Sequence, residues 1–382
     1  MNRADSQTES PQQLVFPAWI ASSMEVLHCV VRIAGLLCAL VGSMALVHGY
    51  WGTHESLGWL LIPAIWITAI AIHEYGHVLG ARAMGMTPYL MHIGPLQMWA
   101  LKRGWRVRWR RQPRGYGGLV MAYVNPYTGL RNQNLVMTAG GPAANLIAAI
   151  VTALLALYVQ QPDINAFLYG IAGFNLAIAV ANLLPRRSTF ASDGMLMLEW
   201  WKGMHEHSLG FLISRLDGLS VNGVTADNLP LELLEKLQSQ PAPGPLFHSW
   251  YAIKGLQNRQ QWAQALELEA QLEERIAGLP TEYKTAFSDL IGVLRCEMSF
   301  SKVMAGQSLT QSIDSELGAE LDWFNPGLRP RCKALMAVRQ GDNELARSLL
   351  ETSERYVSRS IDQALHASEG RIRDAIAREM VH

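Results

Sequence analysis

Charge is scarce in this chain. Asp, Glu, Lys and Arg supply 17% of its 382 residues, against 49% hydrophobic ones. That balance is too apolar for an ordinary soluble protein of this length and directs attention to membrane spans. Cysteine is rare too: Cys29, Cys38, Cys296 and Cys332 lie too far apart in sequence for a CxxC metal site. A disulfide framework is not expected, which fits a reducing compartment for the C-terminal half. Residues 1–15 are polar and lack the apolar core and cleavage site of a signal peptide. The stretch 82–134 has nine basic residues and no acidic one.

The net charge of zero conceals an asymmetry. Residues 1–200 hold 13 basic and 8 acidic residues, a net of +5; residues 201–382 hold 19 and 24, a net of −5. The first half reads as membrane-embedded and the second as an acidic, water-soluble domain. Four segments have the roughly 20 apolar residues that a bilayer crossing needs: about 26–49, 57–81, 135–159 and 165–185. The connections 51–56 and 160–164 contain no Lys or Arg, whereas 82–134 is basic and Arg186 and Arg187 follow the last span. The positive-inside rule then places 82–134, the N-terminus and everything after 186 in the cytoplasm.

Within 82–134, "RGWRVRWRR" alternates strictly, and "LVMAYV" follows the turn residues "QPRGYGG". The pattern predicts a β-hairpin over about 104–124 at the cytoplasmic interface, with tryptophans at headgroup level and arginines near phosphates. A nucleic-acid partner is set aside, because lipid phosphate is the nearest anion to a patch tethered between spans. "PAPGP" (241–245) marks a boundary. Helical stretches are predicted near 247–257, 261–276, 282–304, 331–340, 342–358 and 362–380. Their small and apolar spacing is that of paired-helix repeats, without a clean 34-residue period.

The predicted fold is therefore mainly α: a polytopic membrane protein of four transmembrane helices with a cytoplasmic interfacial β-hairpin, followed by a soluble all-helical domain. The predicted parts are a cytoplasmic N-terminal tail (1–23), a membrane-embedded domain (24–200), a linker region (201–245) and a soluble helical domain with tetratricopeptide-like spacing (246–382).

The chemistry is concentrated in "AIHEYGHVLG" (71–80), at the end of the second span. HExxH on a helix sets His73 and His77 on one face, able to meet one metal ion, with Glu74 beside the first to take a proton from water. An acidic residue at the centre of a membrane helix costs about 2.5–3.5 kcal/mol on insertion scales, so such a cluster is expected to have a function. A catalytic zinc needs a third protein ligand. Asp193, in Ser-Asp-Gly, is the only acidic residue between Asp163 and Glu199, and Asp163 falls on the opposite side of the membrane. Taken alone, Asp193 could equally cap the helix that follows; beside HEYGH the ligand reading prevails. Gly76 and Gly80 are spaced to let a neighbouring span pack closely. His205, Glu206 and His207 form a second histidine cluster, whose i, i+2 spacing does not put both rings on one helix face.

HEYGH in one span, GGPAANL (140–146) at the start of the next and NLLP (182–185) followed by DG after the last together resemble the site-2 protease family of intramembrane zinc metalloproteases. The resemblance covers about residues 55–200. It implies one Zn2+ per chain held by His73, His77 and Asp193, with Glu74 as the catalytic glutamate. Asn145 and Asn182 match asparagines that recur near the family's active site, where they could assist an oxyanion or the substrate; an interhelical hydrogen bond is the commoner use of such an Asn. One departure stands out: Asp193 follows Pro185 by eight residues, a longer interval than the family's usual form. The C-terminal half matches no domain of the family.

The resemblance implies a multi-pass cell-membrane endopeptidase acting on membrane-spanning proteins near the cytoplasmic side, with a C-terminal domain that selects substrate or binds a regulatory protein. A predicted role for the hairpin is to add an unwound substrate segment as an extra strand, with tryptophan anchoring an equal use. Two alternatives remain open. One is a different HExxH peptidase, drawing its third ligand from a later glutamate helix. The other is a catalytically inactive membrane scaffold presenting a helical interaction domain.

Overall fold

The computed structural model describes residues 14–52, 55–110, 117–187, 191–204, 208–308 and 311–380. The chain divides into two compact units, with the change near Ser208 and Leu209.

The first unit contains the helices α1 (Ala18–Trp51), α2 (Ile62–Ala83), α3 (Leu130–Tyr158), α4 (Pro162–Leu183) and α5 (Asp193–Trp201), with the strands β1 (Thr87–Ile93), β2 (Leu96–Ala100), β3 (Trp105–Trp109) and β4 (Gly118–Tyr123). Four helices are long and apolar enough to cross a membrane: Ala18–Tyr50, Leu57–Ala83, Leu130–Tyr158 and Pro162–Leu183. These are the four predicted spans, the first beginning eight residues earlier than expected. Part of the predicted N-terminal tail is therefore helix.

Helices in lipid gain little from apolar burial against one another, so close backbone approach matters more. α1 and α4 run antiparallel along such a seam. Gly35 meets Ala177, and Gly42 meets the backbone at Ala166 and Gly170, each leaving no room for a Cβ. α2 crosses α3 in the same way. Gly76 and Gly140 face each other, and Gly80 lies against the Val136 carbonyl, as the i, i+4 glycine spacing in α2 predicts. Ala39, Ile65, Ala69 and Phe174 fill the space among α1, α2 and α4.

The sheet corrects the predicted hairpin. Residues 105–109 and 118–123 are strands, but they do not pair with each other. The order is β3-β2-β1-β4, with every neighbouring pair antiparallel. This is the Greek-key order, in which the fourth strand returns beside the first. The physical reason is local. "TPYLMHIGPLQMWA" forms a tight hairpin of its own at Gly94, where φ is +53°, and so β1 and β2 occupy the middle of the sheet. The turn that was to join the predicted pair, 111–116, lies outside the described residues. One face of the sheet packs on the helices: Met91 and Val120 meet Val78 of α2, with Ile93, Met98, Trp105 and Met137 around them.

The second unit is all-helical among the described residues. It contains α6 (Leu209–Val221), α7 (Leu231–Gln238), α8 (Gly244–Asn258), α9 (Trp262–Glu267), α10 (Glu269–Ala277), α11 (Thr281–Ala286), α12 (Ser288–Met304), α13 (Leu321–Phe324), α14 (Leu328–Arg339), α15 (Asn343–Val357) and α16 (Gln363–Glu379). The predicted linker region over 201–245 is not a linker throughout. Leu212 and Leu216 of α6 and Leu233 and Leu237 of α7 share a core with Tyr251 of α8, because both segments carry apolar residues at helical spacing. A second core joins α8, α10 and α12, and a third joins α12, α14 and α16.

Buried charge ties four helices of this unit together. Arg331 is fully buried and bonds Glu297 and Glu369, each at 2.7 Å. Lys254 lies 3.3 Å from Glu297 and 3.4 Å from Glu369. Two cations balance two anions, and Gln257 donates to Glu297 as well. The Arg331 and Lys254 charges hold the Glu297 carboxyl down at about 2 against the upward push of burial. Cys296 and Cys332 are buried free thiols with their sulfurs 3.5 Å apart.

Candidate metal centre

α2 is apolar from Ile62 to Ile72, with Pro63 at its first turn, where a missing N–H costs nothing. Its polar residues follow at 73–77 and turn inward: His73, Glu74 and His77 are 7%, 5% and 8% exposed. The rings of His73 and His77 meet edge-on with centroids 4.8 Å apart, and their Nε2 atoms are 3.2 Å apart.

The hydrogen bonds at the far side of each ring decide the tautomers. The Asn145 amide nitrogen donates to the Ala69 carbonyl at 3.0 Å and to Asn175 Oδ1 at 2.9 Å. Its oxygen must then face His73, whose Nδ1–H donates to it at 2.7 Å. His77 Nδ1–H donates to the Met137 carbonyl at 2.8 Å. Both imidazoles in their neutral form therefore present bare Nε2 lone pairs to each other.

Asp193 completes the cluster. Its Oδ2 lies 3.0 Å from His73 Nε2 and its Oδ1 3.5 Å from His77 Nε2. Among the described residues Oδ2 is buried without a hydrogen-bond donor. Two lone pairs and a carboxylate converging in a dry site repel one another unless a cation lies among them. All three ligand atoms fall within 4.8 Å of one another, and this is the one such group of His, Cys, Asp or Glu found among the described residues. The donor set of two imidazoles and one carboxylate is one that zinc accepts. The residues present thus fit a divalent cation.

Each part of the GGPAAN stretch on α3 serves this arrangement. Gly140 admits Gly76, and a Cβ at Gly141 would collide with both imidazoles. Pro142 lacks the N–H that would bond the Thr138 carbonyl, next to the Met137 carbonyl that accepts from His77. Asn145, fully buried, orients His73. Glu74 lies on the other side, its carboxyl against the backbone of Gly118, where a Cβ would displace it. Gly118 opens β4, so the sheet edge begins beside the buried glutamate.

Asp193 does not cap α5. Ser192 does so, accepting from Met195 N at 3.3 Å. The Asp193 carboxylate is thereby left for the histidines. Ser192 also closes the long interval after Pro185: its hydroxyl donates to the Leu184 carbonyl at 2.7 Å and accepts from Arg186 N at 3.0 Å. Arg187 and Ala191 bridge across the neck. Gly194 lies against the Leu183 carbonyl, so Asp193 stays close to the end of α4.

Asn182 is not brought to the cluster. Its amide donates to Ile178 within its own helix at 3.1 Å. The asparagine of α4 that does reach the site is Asn175, through Asn145, and sequence reasoning overlooked it. No motif marks it; a buried Asn in a span was the one available signal. The second histidine cluster, 205–207, lies outside the described residues.

Comparison with known families agrees with this geometry. Residues 62–166 match the model of peptidase family M50. The sequence's resemblance to the site-2 proteases is thereby borne out over this stretch, in a chain with four helices long and apolar enough to cross a membrane. The M50 match includes His73, Glu74, His77, Gly118 and Asn145 and ends before Asn175 and Asp193. No curated protein and no solved structure matches the chain. The place of Asp193 in the cluster therefore rests on its distances to the two histidines.

Proposed function

We propose that the protein is a zinc-dependent intramembrane endopeptidase that cleaves membrane-spanning or membrane-tethered proteins near the cytoplasmic side, in regulated proteolysis. The observation that supports it most is the meeting of His73, His77 and Asp193 within 4.8 Å, inside a region matching a peptidase family. The inactive-scaffold alternative leaves that convergence without a purpose.

His73, His77 and Asp193 would hold the zinc, which when bound supplies Lewis acidity to polarise a peptide carbonyl and acidify water. Glu74 is the general base. It takes the proton from the attacking water and returns it to the leaving amine. Its burial against Gly118 excludes bulk water from that carboxyl and fixes its direction. Asn145 holds the His73 ring and its tautomer; with both amide hydrogens committed, it has none for an oxyanion. The different-peptidase alternative, with a ligand from a glutamate helix, is not favoured, since Asp193 Oδ2 lies 3.0 Å from His73 Nε2.

A substrate helix hides its carbonyls in strong intrahelical bonds and must be locally unwound. β4 is an edge strand, paired on one side by β1, and starts at Gly118 beside Glu74. We propose strand addition of the unwound segment at β4. Of the two strands in the predicted hairpin region, this is the one next to the glutamate; β3 lies at the opposite edge. The C-terminal unit would lie in the cytoplasm and bind substrate or a regulatory protein.

The test is co-expression with a panel of single-span proteins, comparing wild type with Glu74→Ala. Cleavage of at least one by wild type alone is expected. Equal processing by both would sink the protease reading.

A further inference from the structure

The third ligand sits on an element with little to hold it. α5 has nine residues, short for an independent helix. Met195 and Glu199 are its buried residues. Yet its rotation decides where Asp193 points. Side-chain tips lie about 5–6 Å from a helix axis, so a 20° rotation moves a carboxylate oxygen by about 2 Å. Metal ligands are held within about 0.2 Å of their ideal distances. A small rotation of α5 is therefore enough to lose the ligand.

Polar contacts among the described residues oppose that rotation. Arg131, in the first turn of α3, donates to the Trp201 carbonyl at the end of α5. Arg187, at the neck of the loop before α5, pairs with Glu199. Glu199 is 1% exposed, while Arg187 remains 34% exposed. Glu199 is six residues beyond Asp193, so it projects from a different side of the helix and stays out of the cluster. A guanidinium–carboxylate pair is directional. It fixes the Glu199 face of α5, while Ser192 fixes its start. The loop that lengthens the interval from Pro185 is what supplies Arg187.

We propose that Arg187 and Glu199 are positioning residues: their ion pair sets the rotation of α5 and so holds Asp193 at the metal centre. This rests on the zinc-site reading above. Loss of the pair would leave His73 and His77 in place and weaken the third ligand alone.

The experiment uses the full-length protein in detergent and reads metal binding rather than cleavage. Zn2+ affinity is measured by chelator competition, and the visible d–d band is recorded with Co2+. Arg187→Met is expected to lower Zn2+ affinity about 10–100-fold, the range for groups that orient metal ligands, and to shift the Co2+ band. Arg187→Lys should recover part of the affinity. Because Arg187→Met takes the guanidinium away from a buried carboxylate, a second variant removes both charges: Arg187→Met with Glu199→Leu. Such apolar replacement of a buried pair is commonly neutral or stabilising. Thermal stability should therefore hold in the double variant while Zn2+ affinity still falls. Wild-type affinity and an unshifted Co2+ band in the double variant would overturn the proposal and leave the zinc reading intact. Failure of the wild type itself to bind Zn2+ would overturn both.

Discussion

The Nδ1 of His73 lies 2.7 Å from Oδ1 of Asn145, and that one bond determines which nitrogen of His73 is free. The amide is itself fixed by Ala69 and Asn175. A chain of neutral hydrogen bonds from α4 through α3 thus aims an imidazole lone pair at the cluster. Asn145→Ala should reduce Zn2+ affinity about 10–100-fold, measured by chelator competition. Asn175→Ala, one bond further out, should have a smaller effect in the same direction.

Glu74→Gln separates chemistry from binding. The amide keeps the shape against Gly118 and removes the base. Zn2+ content should stay at one per chain, and cleavage should fall by at least the 10²–10⁴-fold typical of a lost general base. Metal analysis beside a cleavage assay checks both halves. Loss of zinc with loss of activity would assign Glu74 to the ligand set instead.

Gly118→Ala tests the contact between sheet and glutamate. A methyl there overlaps the Glu74 carboxyl, so the side chain or the strand must shift. Cleavage should fall at least tenfold while Zn2+ affinity stays within about twofold, since the ligands lie on α2 and α5. Misplacement of about 1 Å near the chemistry commonly has effects of this size or larger.

The C-terminal unit makes a pH-dependent contribution of its own. Burial, with the nearby Asp362 charge, pushes the Asp217 carboxyl up to about 6, against the pull of the Tyr251 hydroxyl at 2.8 Å. A folded-state value above the unfolded 3.8 means that the folded state holds the proton more tightly between those two values. Stability from this group is then fully present below about pH 4 and lost as pH rises through 6. The change is on the order of 3 kcal/mol. Asp217→Asn, which keeps an acceptor for Tyr251, should raise the melting temperature at pH 7.5 and leave it unchanged at pH 4. Equal melting of the two proteins at pH 7.5 would contradict this.

Arg331 is the point at which the C-terminal core is most vulnerable. Arg331→Met leaves two buried carboxylates, Glu297 and Glu369, with Lys254 in place of two cations. The expected loss is about 3–5 kcal/mol, measured by denaturant unfolding. Lys254→Met, which leaves both Arg331 bonds intact, should cost less.

Much of this protein was legible before any coordinate. Span length and hydropathy are local properties, and the four helices long and apolar enough to cross a membrane follow from them. HExxH is local too, because helical periodicity alone puts His73 and His77 on one face. Chain-order motifs pointed to Asp193, and the small residues of α2 announced a close crossing. Pairing was not legible. Residues 105–109 and 118–123 read as strands, but alternation cannot name a partner, and the middle of the sheet was taken by β1 and β2. Nor could the sequence choose between Asn182 and Asn175, since facing a neighbour depends on how α4 is rotated against α3. Whether Asp193 was cap or ligand was also undecidable locally. Tertiary structure gives the cap to Ser192 and brings the Asp193 carboxylate within 3.0 Å of a histidine 120 residues away. Local periodicity depends on neighbours in the chain, whereas a converging site depends on how rigid elements are rotated against one another. The sequence determined which residues could hold a metal, and packing alone determined that they meet.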